Sequence, residues 1–97
     1  MSLINHIGIP AMLEQTAEEC SELAQACLKL SRYYRNENQT NRSKDELIAN
    51  MYEEIADVEI CIDEILSKYP RRYVEDWKRV KKLAIQKRIN QMSEKGK

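Results

Sequence analysis

Sixteen of the 97 residues are acidic, and only two pairs of them stand three apart: Glu19 with Glu22, and Glu54 with Asp57. On an α-helix that spacing projects both carboxylates from one face. Apolar residues interleave with each pair, Cys20, Leu23 and Ala24 around the first and Ile55, Val58 and Ile62 around the second. Two such helices laid side by side set up to four carboxylates around one space. In partly apolar surroundings they repel, and an uncompensated buried charge costs on the order of 3–5 kcal/mol. A hard divalent cation removes that cost. Mg²⁺ takes oxygen ligands in an octahedron and shares them among carboxylates, waters and substrate phosphates. The expected cofactor is therefore Mg²⁺, with Mn²⁺ as a substitute, and the expected work is on a nucleotide. The competing reading is that these acids are solvated or ion-paired helix faces, which produce the same spacing.

The elements that must carry the pairs read as helices. Two Gly, two Pro and no Phe, with one-third charged residues, suit an all-α bundle better than a sheet. Met1 to Ile9 is a short apolar lead. Pro10 fits the first turn of a helix that continues without Gly or Pro to about Arg35, roughly 38 Å. Leu13, Ala17, Cys20, Ala24, Cys27 or Leu28, and Ser31 follow a helical stripe on it, with Glu19, Glu22 and Lys29 beside them. Residues 36–43 form a polar loop. Ser43 and Glu46 then supply a capping box for a second helix over 44–68, stopped by Pro70. Its expected buried stripe is Leu47 or Ile48, Met51, Ile55, Val58, Ile62 and Ile65, with Asn50, Glu54, Asp57 and Cys61 in line beside it. A third helix is expected over 71–92, with Tyr73, Trp77, Val80 and Ala84 along one edge of its apolar face and Trp77 read as core. Residues 93–97 form a tail. The expectation is one domain of three main helices per chain, completed as a four-helix-type bundle by oligomerisation, because a chain this short builds a marginal core alone.

Composition narrows the classes. Cys20, Cys27 and Cys61 form no CxxC motif and lie far from the only histidine, His6, which argues against zinc. They read as small packed thiols in a reducing cytoplasm. An iron or manganese carboxylate bundle would want Glu-x-x-His, and neither long helix carries a histidine. Nothing reads as a secretory signal or a membrane span. The net charge of zero hides a split: residues 1–70 carry 13 acids against 6 bases, and residues 71–97 carry 3 acids against 10 bases.

The stretches EECSELAQACLKL (18–30) and EEIADVEICIDEI (53–65) resemble the MazG-like branch of the all-α nucleoside triphosphate pyrophosphohydrolases. That family's Glu-x-x-Glu and Glu-x-x-Asp signatures fall here on Glu19-Cys20-Ser21-Glu22 and Glu54-Ile55-Ala56-Asp57. Leu23, Lys29 and Glu53 match its context, and Lys81 with Arg88 matches more loosely. The resemblance implies hydrolysis of a nucleoside or deoxynucleoside triphosphate to the monophosphate and pyrophosphate, for nucleotide-pool house-cleaning, in a homodimer or homotetramer. It implies that Glu19, Glu22, Glu54 and Asp57 hold Mg²⁺, and that one of them, or Glu18 or Glu53, handles the attacking water. Lys29, Arg32, Lys81 and Arg88 become candidates for the triphosphate oxygens. Cys61 stands where the family often presents a base-contacting residue.

Two other functions compete. One is a non-catalytic helical oligomer that binds nucleic acid or a protein through its basic third helix. Nucleic acid is disfavoured, because aromatic interleaving and a recognition-helix turn are lacking. The other is a nucleotide sensor of the same fold, against which the full set of four carboxylates counts.

Overall fold

The computed structural model describes residues 2–37 and 41–95. Four helices account for most of them, with no strand among the described residues: α1 (Leu3–Ile7), α2 (Ile9–Tyr34), α3 (Lys44–Ile65) and α4 (Arg71–Lys95). The apolar lead is thus itself a helix. Gly8, at φ 86°, ends α1 and begins α2. That backbone conformation lies in the left-handed half of φ space, where a residue without Cβ fits at least cost. Residues 38–40 of the expected loop lie outside the described residues, as do 96 and 97 of the tail.

Capping chemistry sets the start of α3 as expected. The Ser43 hydroxyl accepts from the Glu46 backbone N–H at 3.2 Å. Glu46 reaches back to the Ser43 hydroxyl at 3.3 Å. The helix ends at Ile65, not Lys68. Its last carbonyls are taken by tighter turns, Ser67 N–H to Glu64 O at 3.2 Å and Lys68 N–H to Ile65 O at 3.0 Å. The last helix continues to Lys95 instead of ending at Met92.

α2 and α3 form an antiparallel hairpin, and α1 packs on both. Two N–H groups at the start of α1 donate to one carboxylate of α3: Leu3 to Glu64 Oε1 at 2.9 Å and Ile4 to Glu64 Oε2 at 3.3 Å. This remote cap holds α1 down and buries Ile4 against Met12 and Cys61, with Ile65 alongside.

The packed face of α2 is not the stripe expected. Met12, Ala26 and Leu30 are buried, whereas Leu13, Ala17, Cys20, Ala24, Cys27, Leu28 and Ser31 are exposed. On α3 the buried residues are Leu47, Val58 and Cys61; Met51, Ile55 and Ile65 are half-buried and Ile62 is exposed. Only one of the three cysteines, Cys61, is therefore a packed thiol.

α4 packs on none of the other helices, and residues 71–94 are all exposed. Trp77 is 63% exposed and not core in this chain. The molecule spans 52 × 40 × 18 Å.

Candidate metal centre

The four acids arrive from two helices. Glu19 and Glu22 come from α2, Glu54 and Asp57 from α3, and the two helices lie side by side over that stretch. Glu19, Glu22 and Glu54 each offer one carboxylate oxygen within 4.8 Å of the others. Asp57 lies outside that triangle, but its charge acts on both Glu19 and Glu54. Glu19, Glu54 and Asp57 are half-buried, and Glu22 is exposed at the rim.

The triangle is electrostatically unresolved. Gln15 donates from Nε2 to Glu19 Oε1 at 2.9 Å. The other oxygen of Glu19 and Oε2 of Glu54 are buried with no hydrogen-bond partner in the protein. Among the described residues no lysine or arginine pairs with any of the four acids. Burial is the main cause that pushes the Glu19 and Glu54 carboxyls above the ordinary glutamate range, followed by repulsion from Glu22 and then from Asp57. The donor set is all oxygen, carboxylate and convergent, the kind of ligand that hard cations take.

A hollow of about 170 Å³ adjoins the acids, lined by Leu3, Gln15, Glu19, Asp57, Ile60 and Cys61. α1 forms one wall of it through Leu3, so the Glu64 cap shapes the approach to the carboxylates. Cys61 sits at its inner edge with its thiol raised by burial, partly offset by a hydrogen bond with Thr16. A thiol kept protonated there serves as wall and not as nucleophile.

The remaining candidates are not gathered. Glu18 and Glu53 are exposed and outside the triangle. Lys29 is half-buried on α2, and Arg32 is exposed. Lys81 and Arg88 lie on α4, away from the acids of their own chain, where they line a shallow hollow with Ala84 and Ile85. Three contributors escaped the sequence reading. Gln15 was legible, four residues before Glu19 on the same face. Glu64 and Leu3 meet across more than half the chain and leave no local signal.

A comparison of the chain with protein families finds no match, and comparisons with curated proteins and with solved structures find none. The class that fold and site define is an all-α chain with a convergent carboxylate cluster on a helical hairpin.

Proposed function

We propose that this chain hydrolyses a nucleoside or deoxynucleoside triphosphate to the monophosphate and pyrophosphate, with Mg²⁺ held by Glu19, Glu22, Glu54 and Asp57. One observation carries the reading: three carboxylate oxygens from two helices lie within 4.8 Å of one another, and buried oxygens of Glu19 and Glu54 lack any partner in the protein. The MazG-like spacing of the same four residues agrees with it. When bound, the cation supplies charge neutralisation for the phosphate oxygens and acidifies water.

The chain's own groups do the rest. Gln15 fixes the rotamer of Glu19 through its Nε2 donor. One of Glu19, Glu22, Glu54 and Asp57 orients or deprotonates the attacking water. Glu18 and Glu53 are the exposed alternatives at the rim. Lys29 is the nearest cation by sequence to the acidic face of α2 and meets a triphosphate oxygen. Phosphoryl and nucleotidyl transfer need such positioning more than a special nucleophile. A homo-oligomer would cover α4, which is exposed along residues 71–94.

A second reading draws on α4. A basic helix exposed along its whole length suits a non-catalytic oligomer that binds a polyanion or an acidic protein. A panel of nucleotides with Mg²⁺ separates the two. The enzyme releases pyrophosphate and monophosphate from at least one triphosphate, and Glu54→Gln and Asp57→Asn abolish release. Wild-type protein that releases none from any nucleotide refutes the enzyme.

A further inference from the structure

Little holds α1 to the hairpin. Ile4 is its one buried residue, and Leu3 and Ile7 stay exposed. The clasp is the Glu64 carboxylate, and its shorter bond, from the Leu3 N–H, lies open to water. Ser2, at the N-cap, makes no side-chain capping bond, and its hydroxyl is buried without a partner in the protein. An unpaired buried hydroxyl disfavours the seated position and is relieved when water reaches it. Elements with few buried side chains and water-exposed hydrogen bonds belong to the low-stability end of a fold.

Gly8 is the joint. Its N–H closes α1 on the Ile4 carbonyl at 3.0 Å, and its carbonyl accepts the Met12 N–H of the first turn of α2, also at 3.0 Å. At φ 86° and ψ 166° it belongs to neither helix, and a glycine leaves that conformation at little steric cost. Beyond its chain neighbours, the nearest atom that a Cβ would meet there is Pro10 Cδ at 4.0 Å, so nothing crowds the joint. Rotation about its two dihedrals turns α1 as one piece and keeps the hydrogen bonds of both helices. Hinges are built from such single residues at the ends of elements.

What α1 walls off is the hollow of about 170 Å³ beside Glu19 and Asp57, with Leu3 on one side and Cys61 at its inner edge. Small-molecule sites run from about 300 Å³ upward, so the seated α1 leaves too little room for a nucleotide. We propose that α1 is a hinged lid: it swings on Gly8 away from α3, is latched shut by the Glu64 carboxylate, and opens the hollow beside the acids to a ligand that the closed space cannot hold. Such a ligand binds only the open fraction of the chains, and its apparent affinity is set by the latch as well as by the site. That the ligand is a triphosphate rests on the proposed hydrolysis. The swing of α1 does not.

Cys61, 4% exposed and clustered with Ile4, reports the lid. In a Cys20→Ser/Cys27→Ser background, which removes the two exposed thiols, Cys61 of the folded protein is labelled with a water-soluble maleimide and followed by mass. The expected rate is flat in low urea, because opening a lid exposes little surface. Two variants move it in opposite directions. Glu64→Ala unlatches the lid and speeds labelling about fivefold, and Ser2→Ala, which removes the unpaired hydroxyl, slows it about fivefold. Labelling that climbs from zero urea with the slope of global unfolding overturns the proposal, as does a rate that the two variants leave unchanged or move together. With a triphosphate that the chain hydrolyses, Glu64→Ala is expected to lower KM about fivefold with a smaller change in kcat, which a mere loss of stability does not do. A KM unchanged or raised overturns entry beneath the lid. Wild-type protein that labels as expected but hydrolyses no triphosphate keeps the lid and removes only the triphosphate.

Discussion

Glu19 on α2 and Glu54 on α3 meet across the helical hairpin with carboxylate oxygens less than 4.8 Å apart, and each buries its Oε2 with no protein hydrogen bond. Both titrate above the ordinary glutamate range, first because burial disfavours the anion and then because Glu22 and Asp57 repel it. A fold that holds like charges together against their repulsion stores an unfavourable term at neutral pH. A divalent cation turns that term into a favourable one, and the account rests on this exchange.

Removing one charge should therefore stabilise the metal-free protein. Glu54→Gln is expected to raise the melting temperature at neutral pH without Mg²⁺ and to lose most of the increase that Mg²⁺ gives the wild type. Differential scanning calorimetry with and without Mg²⁺ measures both. A lower melting temperature for Glu54→Gln without metal, with the Mg²⁺ increase intact, would contradict the arrangement.

The pH dependence follows in sign. With the folded values of Glu19 and Glu54 raised, the folded chain binds more protons than the unfolded one between the ordinary glutamate value and the raised value. Their contribution to stability falls as pH rises through that window and recovers on acidification. The gap in melting temperature between Glu54→Gln and wild type should be widest at neutral pH and close as pH drops below the ordinary glutamate value. The increase given by Mg²⁺ should shrink over the same range, since protons compete for the ligands. A gap that is flat in pH would mean the two carboxyls titrate normally.

α1 is held by one carboxylate and one glycine. Glu64→Ala removes the acceptor for the Leu3 and Ile4 N–H groups and should cost about 1 kcal/mol. Gly8→Ala forces an L side chain at φ 86° and should cost about 1–3 kcal/mol. Native-state hydrogen exchange reads both changes, with faster exchange over residues 3–7 and little change in α3. Protection of α1 unaltered in both variants would show that Ile4 alone anchors it.

What the sequence made legible was local. The capping box at Ser43 and Pro10 at the start of α2 are short-range chemistry, and helix limits followed to within about three residues; α3, however, ends at Ile65 in tighter turns, five residues before the expected stop at Pro70. The two acidic pairs were legible because one helical face is set by spacing alone. The packed face of α2 was not. Leu13, Cys20 and Leu28 make as good a stripe as Met12, Ala26 and Leu30, and periodicity cannot say which of two apolar sides meets α3. Trp77 failed for the related reason that an apolar face needs a partner, and in the chain alone α4 has none. Glu64 escaped because its partners stand some sixty residues away.

Binding of a divalent ion to the hairpin acids is the most direct test, independent of any substrate. Mn²⁺ titrated into the metal-free protein at neutral pH, followed by the loss of its free electron paramagnetic resonance signal, is expected to show one saturable site per chain that Mg²⁺ displaces. Glu19→Gln and Glu54→Gln should each weaken it at least tenfold, about 1.4 kcal/mol. Wild-type protein that leaves the Mn²⁺ signal free, or binding untouched by both substitutions, would contradict the account.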